Sequence, residues 1–308
     1  MISYVIRRLL QGAVVLFIVS LLTFTVMFFM PGDPARTMVG QARVTEEQLE
    51  AIRERWHLND SYPERYWYWL SNLAKGDLGT SMMMPGFPIG DLILDRAGWT
   101  LRLTALAAVI SIGLAIPLGV LAAVKRYSFI DYLSTVISTL GVAIPNYFIG
   151  IILIVIFAGR LGWLPPFGAT SWKHYIMPVG VLAFSEMAGI ARLTRGTTIE
   201  VLGQDYIKTA HAKGLALNAV ILRHVLRNAL LPIITLIGYR MAFILSGTIV
   251  IETVFSWPGL GQLFYDAITF KDLQLVQAIV LLLTSIVVIM NILTDLTYGF
   301  IDPRVRLK

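Results

Sequence analysis

The 308-residue chain is 56% hydrophobic and 14% charged, with a mean hydropathy of +0.72, which is more apolar surface than one soluble core of this length can hide. It contains no cysteine, which excludes disulfides, thiolate metal sites and cysteine nucleophiles. The formal charge of +6 raises nucleic acid as a partner, but the cations stand beside apolar runs without any nucleic-acid motif, so membrane topology explains them better.

Six apolar runs are long enough to cross about 30 Å of hydrocarbon at about 1.5 Å per residue. They are Leu9–Met30, Leu101–Val124, Tyr132–Phe157, Tyr175–Ala191, Leu230–Ile251 and Leu273–Leu296. The first follows Arg7 and Arg8 as a secretory signal would. Its apolar stretch exceeds a signal core, however, and no small-x-small cleavage site precedes Pro31, so it reads as a retained span. A long segment, Pro31 to Gly98, comes next. There Thr45 with Gln48 can form a capping box, and Leu49, Ile52 and Trp56 share one face, which predicts a helix. Tyr62, Tyr66, Trp67, Tyr68 and Trp69 then read as interfacial anchors or as a docking surface. Gly76, Gly79, Pro85, Gly86, Pro88 and Gly90 mark an irregular stretch before the second span. Pro117, Pro145 and Pro232 can bend the spans around them. Lys and Arg near span ends fall on one side: Arg7, Arg8, Lys125, Arg126, Arg192, Arg195, Lys208, Lys213, Arg223, Arg227, Arg304, Arg306 and Lys308. That side, with both termini, is expected to be cytoplasmic.

The segment Asp205 to Pro232 is basic and amphipathic inside an otherwise apolar chain. It predicts a short helix ending at Gly214, where positive φ carries no Cβ penalty, with Lys213 near the negative pole. A second helix is expected to start at Asn218 as its cap. Ile221, Leu222, Val225 and Leu226 would make its apolar stripe, with Arg223 and Arg227 on another face. Periodicity alone leaves two readings open, an interfacial helix held by lipid head groups or a surface on which a protein docks.

In chain order, the runs FFMPGDPA, GDLGTS, GVAIPNYFIG, TAHAKG, RHVLRNALLP, ETVFSWPGLGQLFYDAI and DLTYGFIDPRVR resemble the membrane subunits of binding-protein-dependent ABC importers of the dipeptide, oligopeptide and nickel type. The resemblance extends over essentially the whole chain. It implies an all-α integral membrane protein with six transmembrane helices and the ABC importer type-1 permease fold. Residues 1–97 would hold the first transmembrane helix and an extracytoplasmic segment, 98–300 a five-helix core with a cytoplasmic coupling loop at 192–229, and 301–308 a cytoplasmic tail. Lys208, Thr209, Ala210, His211, Ala212, Lys213 and Gly214 would form the helix that fits a cleft on the ATPase. Lys208 and Thr209 replace the glutamate and first alanine of the general pattern, Ala210 is retained, and the usual Leu-Pro pair falls on Leu226 and Arg227, so the peptide-type variant fits better. Implied partners are a homologous second permease, two ATP-binding subunits or one fused pair, and an extracytoplasmic solute-binding protein that meets the outer loops. The site of action would be the inner membrane.

No G-x-x-x-x-G-K-[ST] run is present to cradle nucleotide phosphates, so ATP and Mg belong to the partner subunits and this chain is expected to bind no cofactor. H-E-x-x-H and G-x-S-x-G are also missing, and His57, His174, His211 and His224 are dispersed, which predicts no metal site and no catalysis. Glu186 and Arg240 fall within spans, where a charge near mid-bilayer costs about 3 kcal/mol, so each should face protein or water. They either line the solute path or form a structural ion pair. Asp295 reads as a boundary residue. The expected function is that of a non-catalytic permease subunit forming half of the path for di- or oligopeptides. Nickel or another small polar solute is the alternative cargo. An ion-coupled secondary transporter using Glu186 is the alternative class, whereas an intramembrane enzyme lacks paired carboxylates or a nucleophile constellation.

Overall fold

The computed structural model describes the backbone of residues 2–40 and 44–301, with side chains described except at 2–5, 211, 231, 241–243, 245–246 and 294–301. Asp295 and the tail at 302–308 therefore lie outside the described side chains, as does His211. The elements are helical: α1 (Ile2–Phe28), α2 (Pro34–Val39), α3 (Glu46–Arg55), α4 (Tyr62–Ala74), α5 (Ile89–Val124), α6 (Phe129–Ala143) and α7 (Asn146–Leu153), which continues as a π-helical segment, Ile154–Arg160. There follow α8 (Lys173–Leu202), α9 (Asp205–Ala212), α10 (Leu217–Val220) with a π-helical continuation at Ile221–Val225, α11 (Leu226–Val254), α12 (Leu260–Thr269) and α13 (Leu273–Ile301).

Among the described residues, four helices are long and apolar enough to cross a membrane by themselves: α1, α5, α8 and α13. Two bent pairs, Phe129–Ala143 with Asn146–Arg160 and Leu217–Leu230 with Pro232–Arg240, raise the number to six when each pair is one crossing. The third run is not the straight span that its hydropathy predicts. It bends by 102° between α6 and α7. Pro145 has no N–H to donate and pushes the residue before it away from the helical region, and Ile144 is accordingly extended at ψ 126°. The fourth run is longer than expected, since α8 continues to Leu202 and carries Arg192 and Arg195 as part of the helix rather than in a loop.

Packing divides the chain into two compact units, Met1–Thr100 with Pro258–Val288, and Leu101–Trp257 with Ile289–Lys308. In the first, Met27, Ile89, Ile93, Leu263, Leu275 and Ile279 lie in one buried apolar cluster. The expected capping box opens α3: Gln48 N–H donates to Thr45 Oγ1 at 3.3 Å, and Thr45 N–H to Gln48 Oε1 at 2.9 Å. The aromatic run is divided by helical periodicity. Tyr62, Tyr66 and Trp69 gather around Phe24 of α1, and the Tyr62 and Tyr66 hydroxyls bond Thr25 Oγ1 at 2.7 Å and Ser20 Oγ at 2.9 Å, while Trp67 and Tyr68 remain exposed. Arg53 bridges Asp33 Oδ2 at 2.6 Å and Glu50 Oε2 at 2.8 Å. Burial raises the Asp33 pKa, but hydrogen bonds from Arg53 and the Ala35 N–H outweigh it and hold the carboxyl below its ordinary value. Glu50 is lowered as well, by hydrogen bonds from Arg53 and Asn59.

Asp272 is fully buried and was not singled out by its sequence context. Its Oδ1 accepts the Leu275 N–H at 3.1 Å, capping α13, and its Oδ2 accepts Ser81 Oγ–H at 2.6 Å and Met83 N–H at 3.0 Å. One carboxylate thus starts a helix and fastens the irregular stretch to it. In the second unit, Ala115 of α5, Ile190 and Ala191 of α8, and Ala229 and Ile233 of α11 form the buried centre. Alanines at that junction let the helix backbones approach closely, as van der Waals packing between apolar helices requires.

Candidate functional site

Helix α9 is short, and its position is set by two apolar anchors. Ile207 and Ala210, three residues apart, are buried against Val220 and Val225. The opposite face is exposed: Lys208 Nζ meets Asp205 Oδ1 at 2.8 Å with both side chains in solvent, and Thr209 Oγ1 donates to Asp205 O at 3.0 Å. Such an exposed ion pair contributes little to stability. After the last turn, Gly214 sits at φ +78°, and a Cβ built there would meet nothing within 4 Å. Conformation rather than space therefore demands glycine, as expected at this helix end. Ala212, Lys213 and Gly214 are exposed. Exposed Tyr206, Leu215, Leu217 and Leu222 surround the same segment, giving it a surface of mixed apolar and cationic character.

The next helix departs from the expected one. It begins at Leu217, and Ala216 rather than Asn218 occupies the cap, without a side-chain hydrogen bond. The π-helical turn at Ile221–Val225 then inserts more residues per turn than the stripe assumes. Val220 and Val225 are buried, while Leu222 rotates into the open at 67% exposure. Asn228 instead ties this region together, its Nδ2 donating to Tyr206 of α9 at 3.2 Å and to His224 O at 2.8 Å.

Deeper in the same unit, α8 and α11 bring Glu186 and Arg240 together. Arg240 Nη1 donates to Glu186 Oε2 at 3.1 Å, with the side chains 30% and 16% exposed. The contact is a single one. Among the described residues Arg240 Nε is buried without a hydrogen-bond partner, and the guanidinium lies where a side chain on Gly189 would be. An acid and a base that reach each other incompletely retain donor and acceptor capacity for a third group.

A second pair was invisible in the sequence. Asp131, in the first turn of α6, accepts from Arg195 Nε at Oδ1 and from Arg195 Nη2 at Oδ2, the latter at 2.9 Å, and the Tyr127 N–H also reaches Oδ2 at 2.9 Å. Asp131 is 3% exposed, and Arg192 adds a bond from Nη2 to Ser138 O at 3.0 Å. The available signal was an acid at the edge of one apolar run and a base at the edge of the next.

Comparison with known proteins agrees with this architecture. Residues 115–307 match the family described as binding-protein-dependent transport system inner membrane component, and residues 1–89 match its N-terminal membrane component. The oligopeptide transport system permease protein AppB of Bacillus subtilis (strain 168) is 39% identical, aligning over 99% of this chain and 100% of its own. The glutathione transport system permease protein GsiC of Escherichia coli (strain K12) is 39% identical with 100% of both chains covered. Inward-facing structures of the MetNI methionine ABC transporter share the fold at a TM-score of 0.55 and 18% identity, covering 68% of this chain and 96% of that one. The full-length match to permeases, the helical membrane-spanning architecture and the shared fold place this chain in the family of inner-membrane components of binding-protein-dependent transport systems.

Proposed function

We propose that the chain forms half of the transmembrane path of an ATP-driven importer of di- or oligopeptides, with a homologous permease forming the other half. Two ATP-binding subunits, separate or fused, hydrolyse ATP with Mg at the cytoplasmic face, and an extracytoplasmic binding protein delivers the solute. Both termini are cytoplasmic, residues 1–97 are an attachment, and 98–300 are the conducting core. The peptide substrate is favoured by two relatives named for oligopeptide and glutathione transport, glutathione being itself a small peptide.

One observation carries the reading: α9 exposes Lys208, Thr209, Ala212, Lys213 and Gly214 while Ile207 and Ala210 anchor it to Val220 and Val225. His211 belongs to the same proposed coupling segment. Movement of the ATPases against α9 passes through those contacts to α11, which starts one residue after Val225 and carries Arg240. Since Glu186 stands on α8, a shift of α11 against α8 remakes the Glu186–Arg240 contact as the path changes its open side. The pair then handles the carboxylate and ammonium of a passing peptide.

Gly214→Val tests the coupling, because a β-branched residue at this left-handed φ costs about 1–2 kcal/mol. Membrane abundance should stay at the parental level while peptide-stimulated ATP hydrolysis or ATPase co-purification is lost, with exposed Glu47→Ala as the control. Parental association and stimulation in Gly214→Val would leave α9 as an interfacial helix only. Peptide uptake by the reconstituted chain alone would favour the ion-coupled transporter instead.

A further inference from the structure

A cavity of about 30 Å³ lies in the first unit where α1, α4 and α13 meet. That is room for about one or two water-sized groups. Its wall includes Phe24 and Phe28 of α1, Arg65 and Trp69 of α4, and Gln277 of α13. We infer that this cavity binds one monatomic anion, chloride in ordinary media, held by the Arg65 guanidinium and the Gln277 amide.

Independent observations converge on an anion. Gln277 is 3% exposed and lines the cavity, yet its amide makes no hydrogen bond to any described residue. A buried amide in that state is costly unless something in the cavity reaches it. Trp69, 8% exposed, stands one turn beyond Arg65 on the same helix face, and its indole N–H also has no acceptor among the described residues. Arg65 itself is partly buried and makes no salt bridge among the described residues. The Phe28 ring lies 5.2 Å from its Cζ, a contact that attracts the cation but supplies no counter-ion. Burial lowers the Arg65 pKa, and the more distant Asp60 carboxylate, which meets His57 Nδ1 at 2.8 Å, offsets this only in part. Finally, the cavity wall contains this guanidinium and no carboxylate.

Size and sign then choose the ligand. The space is too small for a phosphate or for the end of a peptide, and a cation with amide and indole donors is served by an acceptor that carries negative charge. A water would satisfy the amide and the indole but leave the guanidinium unpaired. Bound there, the ion ties α4 to α13 beside α1. The site is independent of the peptide-importer reading, since the coupling segment and the Glu186–Arg240 pair belong to the other unit.

The test is scanning calorimetry of the full chain in nanodiscs, in sodium chloride, sodium bromide and sodium gluconate at matched ionic strength, gluconate being too large for the cavity. As either halide replaces gluconate the unfolding midpoint should rise saturably by about 2–4 °C, because a ligand that binds only the folded state stabilises it by mass action. Arg65→Gln should abolish that dependence, whereas Arg55→Gln, which removes an exposed cation from α3, should keep it. Gln277→Glu puts a tethered carboxylate in place of the ion. It should lose the halide dependence yet keep, in gluconate, a midpoint at or above the parental one, while a Gln277 with only a packing role predicts a lower midpoint. Crystals grown in bromide should show an anomalous peak within hydrogen-bonding distance of Arg65 and Gln277. Equal midpoints in the three salts overturn the inference and leave the cavity to buried water. A halide dependence that survives Arg65→Gln or Gln277→Glu overturns it as well, as does a bromide peak elsewhere only. Should Arg65→Gln fail to fold, the Gln277→Glu comparison decides.

Discussion

Two acid–base pairs hold the second unit together, and they are built differently. Asp131 and Arg195 join α6 to α8 through two guanidinium hydrogen bonds, with a backbone N–H completing the carboxylate. Glu186 and Arg240 join α8 to α11 through one contact at 3.1 Å, with a guanidinium nitrogen left over. Desolvating charges is costly, and only a pair with excellent geometry and satisfied remaining atoms recovers that cost in a static structure. The first pair meets this condition and reads as a rivet. The second does not, so its retention in apolar helices makes sense if something else uses it.

The largest expected effect breaks the rivet. Asp131→Ala leaves Arg195 and the Tyr127 N–H without their acceptor, and should destabilise the protein by about 3–5 kcal/mol. Unfolding in detergent, followed by helical circular dichroism, measures it. Equal loss for Glu186→Ala would erase the distinction between the pairs.

A double-mutant cycle sharpens the same contrast. The coupling energy of Asp131 with Arg195 should reach about 2–3 kcal/mol, against about 0.5–1 kcal/mol for Glu186 with Arg240. Glu186→Gln should accordingly fold and assemble with a stability loss of about 1 kcal/mol or less, yet lower peptide uptake by roughly tenfold. A folded Glu186→Gln protein with parental uptake would remove the pair from solute handling.

The smallest effect concerns a partly buried third cluster, in which Arg53 serves both Asp33 and Glu50. Both carboxyls have lowered pKa values in the folded state, so their contribution is present above the ordinary carboxylate pKa of about 4 and is lost as pH falls through the lower folded values. Hydrogen exchange across α3 should therefore quicken as pH drops below about 4, after correction for intrinsic rates. Arg53→Gln should flatten that dependence, and an unchanged profile would show that the cluster adds nothing to the order of α3.

Local signals were legible in proportion to how local their physics is. The capping box of Thr45 and Gln48 spans three residues and formed as expected. Gly214 at positive φ, and the four apolar stretches that form unbroken helices long enough to cross a membrane, follow from backbone sterics and hydrophobic length alone. Glu186 and Arg240 were legible as a couple because each is a charge that no lipid-facing position tolerates. Asp131 with Arg195, separated by 64 positions, and Asp272 with Ser81, separated by 191, carry no comparable mark, since a charge at the edge of an apolar run looks the same whether it faces water or a partner.

Composition by itself determined that this is a helical membrane protein, because hydrophobic length acts on the chain wherever it folds, and the ordered motifs supplied the resemblance to permeases. Tertiary structure alone decided which prolines break a helix and which charges meet. Pro117 and Pro178 lie inside continuous α5 and α8, whereas Pro145 ends α6 and turns the chain by 102°. The same ring permits both outcomes, since a helix survives proline only where neighbouring groups satisfy the freed carbonyl, and those neighbours arrive with the fold.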